Sequence, residues 1–329
     1  MEFIPYKAHE CFEHLYYQIP MELFFNKNYI DKLNSDSKIL YGFLLNRLTL
    51  SAKNNWIDED GNVFLIFTRK EVQKMLPKPL KNTIRRHPAA FRIGLQGPDF
   101  LFFYHPLLKC KTNQLGYHQH SHAFDAFLAY ELPIIRKLGT DSAAYAYLLG
   151  YICHFALDSE CHTYIIPKST EGGKKHLVME NEFDRFLLKK DGYNAISYPI
   201  WHMIPKDKAT IHAIYEVYRP FALSKHKIKR ALSGMRFYKK LLTCGCSLKR
   251  FVIRLLMKIT FHYKQLEGHM MTLCAKSYAK YTNAALLKYY KKSIPLANEL
   301  ILDFHKSVTQ GKPLHKRFHT TLKSNEPLD

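Results

Sequence analysis

Three side chains of the kind that bind metal ions recur at intervals of four residues in the segment "GYICHFALDSECHTYIIP". They are His154, Asp158 and His162. Positions four apart lie above one another on an α-helix, so the spacing predicts a helix on which the three side chains converge. Most residues between them are apolar, which places such a helix in a core. A polar stripe buried there needs partners, and metal ions are one class of partner.

A second pair of the same kind follows in "KKHLVMENEFDRFLL", where His176 and Glu180 are again four residues apart. Upstream, Gly97-Pro98-Asp99 predicts a turn that ends on a carboxylate. The segment "GYHQHSH" adds three histidines, His118, His120 and His122. A single His/Asp or His/Glu pair on a helix is more often a salt bridge than a metal site. Five such ligands in two helical motifs, preceded by the turn, favour a zinc centre with open coordination positions.

In this order, the motifs resemble the signature of the bacterial zinc-dependent phospholipase C family. The resemblance covers residues 77–310 and is strong over 85–188. It implies an all-helical fold related to that of the single-strand-specific P1 nucleases. The predicted fold class of the chain is therefore mainly α.

The resemblance also implies which residues hold zinc. The first ion is implied to be held by Asp99, one histidine of "GYHQHSH", His154 and Asp158. The second ion is implied to be held by His162, His176 and Glu180. Asp158 would also bridge toward a third ion.

Two points of this assignment depend on the family pattern. The three histidines are expected to lie in a loop. Among them, His120 is favoured, because its separations along the sequence from Gly116 and Phe127 match that pattern best. His118 and His122 stay open as alternatives. The family's third ion is bound by the amino terminus and a nearby histidine, a stretch that has been replaced in this chain. We therefore expect two zinc ions and an incomplete third site.

The chemistry that such a cluster supports is phosphodiester hydrolysis. Bound zinc lowers the pKa of water from 15.7 to about 7 and neutralises charge that develops on phosphoryl oxygens. Asp99 is predicted to be catalytic as well as a ligand, because its carboxylate can orient or deprotonate the attacking water.

The amino-terminal part of the chain has a different pattern. Residues 14–75 resemble the N-terminal domain of plasmid replication initiator protein A of Gram-positive bacteria, through Tyr17-Gln18-Ile19-Pro20, a predicted helix over 38–47 and predicted strands over 56–68. The resemblance implies a partial winged-helix α+β segment of DNA-binding ancestry. It fades after "FTRKEVQKML", before the helix expected to read DNA. "PKPLKN" over 77–82 is interpreted as the junction, which predicts domains over 1–76 and 77–329.

The charge is strongly positive and unevenly distributed. The net charge is +21, and residues 225–264 contain twelve Lys or Arg and no Asp or Glu. Such a region attracts phosphates, so an anionic membrane surface and nucleic acid are both candidate partners. The acidic start of the chain does not resemble a secretory signal, and seven cysteines without paired spacing favour reduced thiols. These features predict a cytoplasmic protein, in contact with the membrane periphery if its substrate is a lipid.

The leading functional prediction is a zinc-dependent phosphodiester hydrolase that acts on phospholipids, with activity impaired if the third site is required. A nuclease of the same fold is the first alternative, because both substrate classes explain the positive charge. A non-catalytic DNA-binding or replication-associated protein is the second, and a fusion with no working activity in either part is the third. The sequence does not distinguish the head group of the substrate or the oligomeric state.

Overall fold

The computed structural model describes part of the first quarter of the chain and nearly all of the rest. The described residues are 19–26, 28, 29, 33, 37, 38, 41, 76–171, 176–261 and 263–327. The chain divides into two compact units, Met1–Thr68 and Arg69–Asp329.

Little of the first unit is described. Helix α1 covers Glu22–Phe25 and buries Leu23. The predicted helix over 38–47 lies outside the described residues except at Lys38 and Tyr41, which are both helical. The predicted strands over 56–68 lie entirely outside them, so the winged-helix prediction stays a prediction.

The second unit is built almost entirely of helices, which confirms the predicted mainly α fold. They are α2 Lys78–Arg86, α3 Pro88–Gly94, α4 Lys111–Ser121, α5 Phe124–Leu138, α6 Ala143–Glu171, α7 His176–Lys190, α8 Lys208–Tyr218, α9 Lys225–Leu242, α10 Ser247–Ile259, α11 Tyr263–Leu266 and α12 Ala279–Gln310. Short 3₁₀ helices lie at Asp99–Phe103, Ile200–Met203, Arg219–Phe221, Glu267–His269 and Lys316–His319. Two short strands end the described chain, β1 Thr320–Thr321 and β2 Ser324–Pro327.

Helix α6 is the centre of the second unit and packs mainly against α3 and α12. Its first half is buried from Ala144 to Ala156, except at Cys153, which is partly buried. Gly150 lets α3 approach closely, because a Cβ atom at this position would lie 2.2 Å from the backbone oxygen of Phe91. A helix held this firmly can position side chains in its second half.

The segment 77–82, interpreted from the sequence as a junction, begins helix α2. Pro77 is the N-cap residue and Pro79 lies in the first turn, where a missing N–H costs nothing. Leu80 and Ile84 of this helix are buried in the main hydrophobic core. The two prolines therefore start a helix of the second unit.

The carboxyl-terminal strands were not expected for an all-helical domain. β1 and β2 pair antiparallel, with Thr321 opposite Ser324. Thr320 and Thr321 are buried, and both strands contact α6. The described helices include none with the length and apolar character needed to cross a lipid bilayer.

Candidate metal centre

The helix predicted around the first motif is confirmed, since α6 runs through His154, Asp158 and His162. The two histidines are each 6% exposed, and the carboxylate lies between them. Asp158 Oδ2 is 3.3 Å from His154 Nε2 and 3.9 Å from His162 Nδ1. The helical spacing therefore brings the three side chains together as predicted.

The first group of candidate ligands consists of Asp99, His120 and His154. One ligand atom from each of these residues lies within 4.8 Å of the others. Asp99 begins a 3₁₀ helix, and its Oδ1 is 3.1 Å from His120 Nε2. The three residues come from separate elements, so this group exists only in the folded protein.

The turn before Asp99 requires a glycine for two reasons. Gly97 has a φ of 46°, in the left-handed region that side chains disfavour. A Cβ atom on Gly97 would also lie 2.2 Å from Cδ2 of the His154 ring. The backbone oxygen of Gly97 accepts a hydrogen bond from Tyr147 on α6, at 2.9 Å. These contacts hold the turn, and the aspartate after it, against the helix.

The structure separates the three histidines of "GYHQHSH". His118 and His120 lie in the last turn of helix α4 and His122 is its C-cap residue, whereas the sequence suggested a loop. His120 is buried beside Asp99. His118 and His122 are exposed, and their rings stack on each other at 3.6 Å. Of the three, His120 is the one that the fold brings into the first group.

The second group consists of His162, His176 and Glu180, again with ligand atoms within 4.8 Å of one another. Glu180 Oε1 is 2.9 Å from His176 Nε2 and 3.2 Å from His162 Nε2. The predicted helix around the second motif is confirmed as α7, and α6 supplies His162. Asp158 stands between the two groups through its contacts with His154 and His162.

The electrostatics of both groups are those of paired carboxylates and imidazoles. Burial acts to raise the pKa of Glu180, but hydrogen bonds from His162 and His176 outweigh it and lower that pKa to about 2. Burial acts to lower the pKa of His162, but Asp158 and Glu180 raise it to about 9. In the first group, burial is likewise outweighed, so the pKa of Asp99 is lowered and that of His120 is raised.

The donor set fits zinc, which accepts neutral imidazole nitrogen and carboxylate oxygen. His154 Nε2 is buried, and although Asp158 Oδ2 lies 3.3 Å away, the two atoms do not form a well-formed hydrogen bond, which leaves the nitrogen able to bind a metal ion. His120 Nδ1 donates to the backbone oxygen of Gly116 at 2.8 Å, which leaves Nε2 to face the group. Backbone partners of this kind fix the orientation of metal-binding histidines.

A contact that the sequence did not reveal orients His162. Its Nδ1 donates to the backbone oxygen of Leu322 at 2.7 Å, across 160 residues of chain. The segment before Leu322 is fastened to α6 by Arg317, which is 2.9 Å from the buried Glu160. Lys292 completes the pairing of Glu160, also at 2.9 Å. No local pattern marks a backbone carbonyl as a partner, so sequence reasoning had no signal for it.

A buried hydrogen-bond network lies behind the first group. Tyr218 donates to Gln119 Oε1 at 3.2 Å, and Tyr151 donates to the same oxygen at 3.3 Å. Tyr147 donates to Gly97 and lies 3.3 Å from the Tyr218 hydroxyl. Gln119 precedes His120, so the network supports both the turn and α4.

In comparisons with known proteins, one family matches the amino-terminal part of the chain and another matches most of the remainder. The family profile described as zinc dependent phospholipase C matches residues 66–286, about two thirds of the chain. The profile of the replication initiator protein A (RepA) N-terminus matches residues 15–87. A curated relative, the "41 kDa protein" of Lactobacillus helveticus, is 34% identical over 71 residues, which are 22% of this chain and 20% of that protein. No solved structure matches the chain.

Proposed function

Since this chain belongs to the zinc-dependent phospholipase C family, we propose that it hydrolyses phosphodiester bonds of phospholipids at the two ligand groups described above. The observation that carries the proposal is the convergence of two groups of three ligands, with Asp158 between them. Three separate elements supply the first group and two helices supply the second. His154 Nε2 supports the proposal, because it is buried and faces Asp158 Oδ2 at 3.3 Å without a well-formed hydrogen bond.

Zinc bound to these residues would supply an activated water and a positive charge for the phosphate. The protein's own residues would hold the zinc ions and orient the ligand rings and the attacking water. Asp99 has a lowered pKa, so its carboxylate is ionised at neutral pH and can accept a hydrogen bond from the attacking water, which orients that water. His120 and His162 are held by backbone oxygens, which limits rotation of the rings. We expect two zinc ions per chain, because the candidate ligands form two groups.

The test compares hydrolysis of a phosphatidylcholine analogue and of single-stranded DNA. Asp158→Asn removes a carboxylate charge from the position between both groups, which weakens zinc binding at each. We expect the variant to lose at least about tenfold in lipid hydrolysis, in the range that follows the loss of a metal-supporting group. The matched control is Asp141→Asn, because Asp141 is an exposed carboxylate paired with Arg86 away from the candidate ligands.

The outcomes separate the alternatives. Lipid hydrolysis that exceeds DNA hydrolysis and falls only in the Asp158 variant supports the proposal. Faster cleavage of DNA assigns the chain to the nuclease alternative. Full activity in the Asp158 variant would contradict the assignment of the site.

A second candidate function is DNA binding by the amino-terminal segment. It is supported by the match of residues 15–87 to the replication initiator profile. We expect weak binding of duplex DNA without sequence preference, because the helix expected to read DNA is not visible in the sequence. Mobility-shift assays on the full chain, with specific and scrambled duplexes, would test this. Tight, sequence-dependent binding would show that a reading element is present.

A further inference from the structure

Helix α10 carries a stripe of exposed apolar side chains along its whole length. These side chains are between 43% and 69% exposed: Leu248, Phe251, Val252, Leu255, Leu256 and Ile259. Their spacing follows the helical repeat, so they form one continuous face. Monomeric proteins rarely expose contiguous apolar faces, and those that do use them as interaction sites.

The opposite face of α10 is fixed to the protein. Ile253 and Met257 are buried in a small core with Leu242 and Met270. Arg250 is buried too and donates a hydrogen bond to the backbone oxygen of Met271. The inner face therefore packs the helix against the rest of the protein. The outer apolar stripe is only partly covered by this packing, since its side chains stay 43% to 69% exposed.

A further exposed apolar side chain lies two residues after the end of the helix. Phe261 is 93% exposed and has a φ of 59°, in the left-handed region that is unfavourable for an aromatic residue. An exposed aromatic ring held on a strained turn costs stability twice, in solvation and in backbone energy. Strained residues of this kind are concentrated at functional sites, where the side chain contacts a partner.

Positive charges flank the stripe. Arg254 donates to the Tyr263 hydroxyl at 2.7 Å, and Lys258 lies over the Tyr263 ring at 5.7 Å. Lys249 also belongs to this helix, and the surrounding residues 225–264 contain no acidic residue. An amphipathic helix with an apolar face and cationic flanks is the type that lies in the interface of an anionic bilayer.

We propose that α10 and Phe261 form a docking surface for anionic phospholipid bilayers, with the apolar stripe inserted among the acyl chains and the flanking cations on the headgroups. A bilayer fits better than nucleic acid, because the stripe is mainly aliphatic and aliphatic side chains do not stack on bases. It also fits better than a second copy of the chain, because pairing two such helices would bring their positive charges together.

The docking surface is linked to the second ligand group. Arg250 of α10 holds Met271, and the neighbouring Gly268 accepts a hydrogen bond from Asn181 at 2.6 Å. Asn181 follows Glu180 on α7. Glu182, one residue further, accepts hydrogen bonds from the Thr272 hydroxyl and from the backbone N–H of Lys276. Docking through α10 would thus hold the helix of His176 and Glu180 near the bilayer that contains a lipid substrate.

The test measures co-sedimentation of the full chain with vesicles of phosphatidylcholine, alone and mixed with phosphatidylglycerol. We expect binding to the mixed vesicles and a loss of about tenfold or more in the double variant Phe251→Glu/Leu255→Glu, since two apolar side chains of the stripe are replaced by charged ones that the acyl chains and the anionic headgroups both disfavour. The matched control is Leu108→Glu/Tyr281→Glu, which changes two exposed apolar residues elsewhere. Phe261→Ser lies beyond the helix and should weaken binding without any effect on helix stability.

Failure of the docking proposal is distinguishable from failure of the proposed hydrolysis. Asp158→Asn should bind vesicles like the wild type, because docking does not depend on the ligands, and the double variant should still hydrolyse a soluble short-chain phospholipid. Equal vesicle binding by the double variant and the wild type would overturn the docking surface. The proposal would also be overturned if the double variant kept its vesicle binding but lost DNA binding, or if it kept its vesicle binding but changed from dimer to monomer.

Discussion

Glu131 on helix α5 is the residue whose replacement tests the electrostatics of the core most directly. Its side chain is 0% exposed, and neither carboxylate oxygen has a hydrogen-bond partner among the described residues. Burial raises its pKa from 4.5 to about 9. The carboxyl group is therefore neutral in the folded protein at pH 7, whereas it is ionised in the unfolded chain.

This difference makes Glu131 destabilising in a way that depends on pH. Because the folded pKa is raised, folding takes up a proton, and the free energy of unfolding falls as pH rises from 4.5 to about 9. Between the ordinary pKa and pH 7 lie 2.5 pH units, each worth about 1.36 kcal/mol, so the cost at pH 7 is about 3 kcal/mol. Glu131→Gln keeps the shape of the side chain and cannot ionise. We expect it to stabilise the protein by about 3 kcal/mol at pH 7 and by less than about 1 kcal/mol at pH 5.

Urea denaturation of the wild type and the variant at both pH values, at equal zinc, would measure the effect. The difference between the two proteins isolates Glu131, because all other titrating groups are common to both. Asp191→Asn is the control, since Asp191 is exposed and its replacement should give no such pH dependence. A stability difference that is the same at pH 5 and pH 7 would refute the argument, because it would mean that the Glu131 carboxyl group does not change its ionisation on folding.

Three further predictions concern the candidate ligands and their support. Arg317→Met should destabilise the fold by about 3 kcal/mol in urea denaturation, because it leaves the buried Glu160 with Lys292 alone. The same variant should weaken zinc binding by about tenfold in a competition titration with a chromogenic chelator, because Arg317 fastens the segment whose carbonyl group orients His162. His120→Ala should lower the zinc content measured by elemental analysis, whereas His118→Ala should leave it unchanged, and equal contents would contradict the first ligand group.

The sequence could predict the parts of the site that depend on local spacing. His154, Asp158 and His162 share a helix face because the helical repeat is a property of a single element, and the same holds for His176 and Glu180. The mainly α fold was implied by the family resemblance. The choice among the histidines of "GYHQHSH" is different, since spacing favoured His120 and only the packing of α4 against the 3₁₀ helix at Asp99–Phe103 places it beside Asp99.

Other features depended on the tertiary structure alone. Leu322 orients His162 through a backbone oxygen, and a backbone oxygen has no residue type that a sequence could display. In the sequence, Glu131 is one of four charged residues on α5, and only its burial makes it costly. In α10, apolar residues occur on both faces of the helix. The neighbouring elements decide which face is covered, because a side chain is buried only where another element packs against it. Here Ile253 faces the protein and Phe251 faces solvent.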